Sequence, residues 1–480
     1  MTLNSFHYLI FFGIVLLLLW LSGRLIKNNS NYNKTFQWIL IVCSYGFVAY
    51  ADIRFCLCLF FLSLFTYYTG IFINKFSLYK NIVIRIGVIV LLLFLGIFKY
   101  YNFFLEQFSR VFKLDYVAAH IILPIGISFY TFSALSYMID VYRGKYSAIY
   151  SFPQLLLYIC FFPKLMSGPI VRFQSFFEQL QHPHRITPQN FSIGIQIFVI
   201  GMFKKMVLAD HLSLFVDNVF YSPSAFHSLT VLWSVISYSL QIYFDFSGYS
   251  DMAIGCSKIL GFDFDKNFNF PYISKNLTEF WKRWHISLSS WLQEYLYYPL
   301  GGNRKGRIRT YFNLLLTMLL GGLWHGAAWT FIAWGFLHGM GLILHKLFMK
   351  WKSKTKFLTF WNSRIWQSVS IVLTFIYVSI CWIFFRADNL TTALKVIKSM
   401  IIFQNGIIQL YTWTIFALLL LCLTTILYKK RRYTPDYDPQ INYPLLNLGT
   451  IKGLTLFFIL CGLTIGMAYV GDTTFIYGAF

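Results

Sequence analysis

Residues 311–345 form one apolar run with basic residues at both ends: Arg307 and Arg309 precede it, and Lys346, Lys350, Lys352, Lys354 and Lys356 follow. A straight membrane helix needs about 20 residues, so this run is too long for one untilted crossing. Short loops rich in Lys and Arg stay on the cytoplasmic side. Both ends are therefore cytoplasmic, and the chain must enter the membrane and come back. Gly321, Gly322 and Gly326 lie near the middle, with Trp324 and His325 between them. An ionisable side chain at such depth is costly and is a functional candidate by default. The alternative is a satisfied core histidine. The adjacent tryptophan, and glycines that let backbone approach a ligand, favour the functional reading.

Similar runs of roughly 15 to 20 residues recur along the chain, as in a multi-helix membrane protein. They cover residues 6–21, 36–50, 55–73, 191–207, 229–244, 366–385, 408–428 and 453–470, and 86–98 is the apolar centre of a further span. No basic segment precedes the first and no cleavage site follows it, so it reads as a retained span. The formal charge is +23 over 480 residues. In a soluble protein that excess would suggest nucleic acid. Here the basic residues cluster in short loops, so cytoplasmic loops and anionic lipid headgroups account for them. Arg24, Lys27 and Lys34 place the N-terminus outside. Lys429, Lys430, Arg431 and Arg432 put the exit of 408–428 in the cytoplasm, so the C-terminal tail is expected outside. The eight cysteines show no disulfide or zinc pattern.

Residues 116–137 and 151–170 are apolar but broken by Pro124, Gly126, Pro153, Pro163 and Pro169. Broken membrane stretches need protein or a cavity to satisfy the freed backbone. Residues 161–172 are then either the wall of an internal cavity or a cytoplasmic or interfacial loop. Lys204 and Lys205 read as an interfacial anchor. Asp245 and Asp251 border the membrane; they orient a histidine or hold polar groups of a ligand, or they are helix-start acids, a reading that weighs more for Asp251. Ser250 is expected to cap a short helix that Gly261 ends. The segment lacks the second glycine of a serine-hydrolase elbow.

Asn276 and Glu279 are spaced as a helix cap. Trp281, Trp284, Leu288, Trp291 and Tyr295 follow at helical spacing, which predicts an amphipathic helix at the interface. His285 on it is an aromatic-belt residue or a functional one. The glycine-rich basic turn at 301–309 serves topology or attracts an anionic ligand. Asn303 and Arg304 of this turn, with Arg283, Trp324, Asp245 and Asp251, are the candidate substrate-binding residues.

The stretches 161–172, 245–255, 269–298, 299–306 and 309–339 resemble the membrane-bound O-acyltransferase family, above all its bacterial branch of alginate and peptidoglycan O-acetyltransferase membrane subunits. The related D-alanyl transfer proteins of teichoic acid share the Trp-His elements and look less similar elsewhere. The resemblance implies an all-α polytopic fold: a ring of tilted helices around a central tunnel, with re-entrant and interfacial helices. One domain would fill the chain, with scaffold spans in 1–150, the catalytic core in 151–347, and further spans and an outer tail in 348–480. His325 matches the family's catalytic histidine and His285 a second important one. No cofactor is bound permanently. Acetyl-CoA would be the cytosolic acyl donor, and a partner resembling SGNH hydrolases would esterify an envelope polysaccharide on the outer face of a bacterial cytoplasmic membrane. The tail 475–480 resembles a Phe-Ile-Tyr-Phe-x-Phe signature whose tyrosine relays the acyl group. Tyr477 holds that place, while Gly478 departs from the pattern; the alternative for Tyr477 is an aromatic anchor. D-alanyl or other acyl transfer to teichoic acid or another envelope glycan, a transporter and a purely structural subunit are the competing readings.

Overall fold

The architecture is that of a computed structural model, which describes residues 1–115, 117–149, 151–182, 186–355, 358–431, 445–469, 471 and 476. His184, Arg432 and Tyr477 lie outside the described residues. Among the described residues the elements are helices, with one isolated bridge between Phe226 and Ile407. Among the described residues seven helices are long and apolar enough to cross a membrane: Phe6–Leu25, Ile53–Lys75, Ser77–Phe112, Pro188–Tyr221, Trp329–Lys352, Arg364–Arg386 and Thr412–Lys430. The chain packs as two compact units, Met1–Phe198 with Tyr249–Phe264, and Val199–Gly248 with Asp265–Phe480.

In the first unit the broken stretches settle as short helices, Phe152–Cys160 and Phe162–Leu165, and Ile127–Tyr142 starts directly after Gly126. Gly126 has φ +71, and a Cβ there would collide with the Leu165 carbonyl, so only glycine fits. The freed backbone finds side-chain partners. Ser44 Oγ accepts the Phe162 N–H at 3.1 Å, and the Tyr137 hydroxyl accepts the Ile149 N–H at 3.1 Å. Phe161, Lys164, Ser167 and Ile170 are all buried. This segment is a packed wall rather than an exposed loop, and it lines a small cavity of about 10 Å³ with Tyr130 and Ser133.

Ser250 does not cap a helix. The helix Ser228–Ile259 runs unbroken through it. The reason lies in the glycines, which serve close packing here instead of a turn. A Cβ on Gly248 would meet the Gly201 carbonyl at 2.7 Å. Gly261, at φ +90, follows the helix end as expected, with the Phe262 N–H returning to the Ser257 carbonyl at 2.8 Å.

The second unit contains the expected reversal. Gly306–His325 and Trp329–Lys352 form an antiparallel hairpin. Its helices touch through glycine: a Cβ on Gly322 would run into the Phe331 carbonyl, and one on Gly335 into the Met318 carbonyl. Small residues that let membrane helices approach closely are a recurrent packing device. His325 is the last residue of the first helix.

Candidate active site

The tryptophan-rich segment is not one amphipathic helix. It divides into Leu277–Trp281 and Ile286–Leu292, followed by a π turn at Gln293–Tyr297. The break falls at His285, which has φ 42. A bulky non-glycine residue in the left-handed region is strained and persists only where its surroundings fix it. Burial explains why the segment does not lie flat at an interface. Trp284 is 1% exposed and packs on Trp382 at 4.8 Å between ring centroids. His285 is 0% exposed, so it is no wet-tipped belt residue. The capping expectation holds: Asn276 Oδ1 accepts the Glu279 N–H at 2.9 Å, and Glu279 Oε2 accepts the Lys275 N–H at 3.0 Å.

Asn267 fixes the strained residue. Its backbone carbonyl accepts the Ile286 N–H at 2.9 Å. Its side-chain Oδ1 accepts the Ser287 N–H at 3.1 Å and the Ser287 hydroxyl at 2.9 Å. A backbone N–H only donates, so the side-chain atom facing it must be the oxygen. The same oxygen lies 3.2 Å from His285 Nδ1. Nδ1 therefore carries the proton in the neutral ring, and the basic lone pair is on Nε2. His285 lies outside the seven spanning helices. Burial pushes its imidazole down to about 3, so the ring is neutral at cellular pH.

From His285 a line of rings leads to His325. Phe246 meets His285 edge-on at 4.6 Å, and Trp324 lies 6.4 Å from it. Trp324 is 4.8 Å from His325, which also touches Trp334 at 5.0 Å and Phe385 at 5.2 Å. Trp334 then meets His338 at 4.9 Å. His338 is fully buried, and neither of its ring nitrogens has a hydrogen-bond partner among the described residues; the same holds for Trp334 Nε1. Buried polar groups are nearly always bonded, so these atoms beside His325 are candidates for contact with a substrate.

The remaining candidates are placed differently. Arg283 is held by Glu279 at 2.9 Å and by the Asn269 carbonyl at 3.1 Å. Asn303 and Arg304 are exposed on the basic turn, which Asn313 fixes by donating to the Leu300 and Gly302 carbonyls at 3.2 and 3.0 Å. Asp251 belongs to the first unit and lies inside the helix Ser228–Ile259, so neither it nor Asp245 is a helix-start acid. Asp245 is buried in the second unit, 2.6 Å from Lys205 Nζ, which also reaches Asp210 at 2.8 Å. Lys205 is therefore no interfacial anchor. The π turn Phe203–Ala209 shifts the helical phase and turns it inward. A cavity of about 500 Å³ opens at the end of the hairpin that carries the basic residues. Its lining includes Lys275, His345, Lys352, Trp361, Trp366 and Gln367.

Residues 145–387 match the family model of the membrane-bound O-acyltransferases. A probable alginate O-acetylase of Pseudomonas aeruginosa is 40% identical over 407 residues, 83% of this chain and 74% of that protein. The chain belongs to the membrane-bound O-acyltransferase family. A peptidoglycan O-acetyltransferase of Helicobacter pylori is 36% identical over 390 residues, covering 75% of this chain and 73% of that one. A teichoic acid D-alanyltransferase of Bacillus subtilis is 29% identical over 398 residues, 78% of this chain and 95% of its own length. This O-acyltransferase is thus an enzyme of a multi-pass membrane type, and the transporter and structural-subunit readings fall away. The matched region contains Asn267, His285, Trp324, His325, Trp334 and His338.

The residues sequence reasoning missed are Asn267, His338 and the pairing of Lys205. Asn267 lies 18 residues before His285, and no spacing rule joins them. His338 sits in an apolar helical run between Gly335 and Gly339, with no charge beside it to mark it.

Proposed function

We propose that this O-acyltransferase takes an acetyl group from acetyl-CoA at the cytoplasmic side of a bacterial cytoplasmic membrane and delivers it to the outer face. There it serves O-acetylation of a cell-envelope polysaccharide, peptidoglycan or an alginate-like polymer. The observation that carries the reading is the similarity, over most of the chain, to an alginate O-acetylase and a peptidoglycan O-acetyltransferase. The lower identity to the D-alanyl transfer protein favours acetyl over D-alanyl.

His325 acts as general base in this reading. A hydroxyl oxygen attacks the thioester carbonyl carbon, and the imidazole takes the hydroxyl proton. The carbon–sulfur bond then breaks, and the thiolate leaves with that proton. Neutral imidazole is matched to this task at cellular pH. The Trp334 indole N–H, buried beside His325, is a donor suited to the carbonyl oxygen as it gains charge. His285 presents Nε2 from the far side of Trp324 and orients the acceptor. The helices form a ring around a tunnel that joins the two faces, with both termini outside. The polyanionic donor enters at the basic end of the hairpin, near Arg304 and the cavity with Lys275 and Lys352.

The acceptor hydroxyl is that of Tyr477, which relays the acetyl group to an extracytoplasmic partner resembling SGNH hydrolases. A phenol with pKa near 10 is a weak nucleophile at neutral pH and needs such a base. The test is mass analysis of envelope polysaccharides from cells with and without the protein. Loss of O-acetyl esters, with acetyl-CoA-dependent thiol release by membrane vesicles, supports the reading. Unchanged esters, or thiol release that is absent, overturn it.

A further inference from the structure

A π turn interrupts the helix that crosses from Pro188 to Tyr221, and it does two unusual things in the second unit. The Asp210 N–H bonds the Lys205 carbonyl, five residues back. Where the ladder returns to four-residue spacing, one carbonyl is left outside it, and such wide turns are frequent at functional sites. The Met206 carbonyl instead accepts the Tyr469 N–H at 3.0 Å. Tyr469 lies beyond the Ile451–Gly466 helix. Its ring is 5.7 Å from His211, which stacks on Trp413 at 3.9 Å.

The turn also brings Lys205 between Asp210 and Asp245, with all three side chains at most 5% exposed. Two carboxyl groups thus face one ammonium in a dry place. Buried charge needs compensating donors. Asp245 Oδ2 finds one in the Ile476 N–H at 2.9 Å. The next residue after Asp245 is Phe246, whose ring meets His285 at 4.6 Å. The next residue after Ile476 is Tyr477.

We propose that the π turn Phe203–Ala209, with Asp210 and Asp245, is a clasp for the C-terminal segment. It grips that segment at the Tyr469 and Ile476 amides and so holds it for acyl transfer. The clasp itself follows from these contacts, whereas its role in transfer rests on reading Tyr477 as the relay. Asp245 is a positioning residue: it acts through the backbone it holds and takes no part in bond making.

The test uses the full-length protein with Cys422→Ser and Ile476→Cys, which keeps the amide that Asp245 binds. Two quantities are measured: the rate of maleimide labelling at position 476, and acetyl-CoA-dependent thiol release by vesicles. Asp245→Ala should raise the labelling rate at least 10-fold. It should lower kcat at least 10-fold with KM for acetyl-CoA within 2-fold, because the donor side is untouched. If that variant fails to fold, Asp245→Leu with Lys205→Met and Asp210→Asn removes the acceptor without stranding a buried charge. The same two effects are expected from it. Slow labelling in a folded variant overturns the clasp. Fast labelling with unchanged kcat overturns the positioning role and leaves a structural staple. Tyr477→Phe in the same assay separates the two readings: normal transfer there defeats the relay, while the labelling result still decides the clasp.

Discussion

The Nδ1 of His285 lies 3.2 Å from Oδ1 of Asn267, an oxygen whose identity is set by the Ser287 N–H it also accepts. One buried amide therefore chooses the tautomer of a buried imidazole and holds its strained backbone. Positioning of that kind has measurable value when a base must meet a proton within hydrogen-bond reach.

Asn267→Ala removes the acceptor from Nδ1 and frees the ring to turn. Outer-shell partners of a functional histidine are worth roughly 10- to 100-fold where they have been removed at metal sites, and a similar fall in kcat is expected here. Asn267→Asp keeps an oxygen in place and should retain most of the rate. Thiol release from acetyl-CoA by vesicles measures both. A normal rate in Asn267→Ala would mean that the ring orientation is immaterial.

His325 and His285 should differ in degree. General-base catalysis contributes about 100- to 10,000-fold, so His325→Ala should leave envelope acetylation undetectable in protein that still inserts. His285→Asn suits the left-handed backbone, which Asn tolerates, and should lower turnover by about 10- to 100-fold, the range expected for an orienting group. Counting acetyl esters per polysaccharide repeat in complemented cells decides the order. Equal and complete loss in both would make His285 a second catalytic group.

Acid should expose the cost of burying His285. Its imidazole sits at about 3 in the folded chain against an ordinary value of 6.5. Between those values the unfolded chain holds a proton that the folded chain lacks, so stability rises with pH in that window. The penalty is small above pH 6.5 and grows as the pH falls below it. His285→Asn removes it. The drop in melting midpoint from pH 7.5 to 5.5 should therefore be smaller in this variant than in the parent. Equal drops would show that His285 does not carry the effect.

The sequence made some of this legible and hid the rest for physical reasons. The hairpin ending at His325 was readable because length, flanking charge and glycine position are all local properties of 311–345. The break at His285 was not. The spacing of Trp281, Trp284, Leu288 and Trp291 fits a continuous helix, and only contacts with Asn267 reveal the positive φ. Lys205 was misread because a π turn shifts the phase by a residue and no hydropathy pattern records it. Ser250 was misread because a serine is a common helix cap, whereas the helix runs through it and Gly248 beside it packs closely on Gly201. Asp245 was found as a candidate, but its partners Lys205, Asp210 and Ile476 come from three other places in the chain.

Topology offers the last test. The basic turn and the Lys352 end of the hairpin lie at the same end of two antiparallel helices, with the His325 reversal at the other. Positive charge keeps such ends in the cytoplasm, and a polyanionic donor requires the same side. Lys305 is exposed on the turn and has φ −105, so a cysteine fits there without strain. In a Cys422→Ser background, Lys305→Cys should resist a membrane-impermeant maleimide in intact cells and react once the membrane is opened. Labelling of intact cells would place the basic end outside. Acetyl-CoA could not then reach the turn from the cytosol, and the donor side assigned to Arg304, Lys275 and Lys352 would have to be reversed.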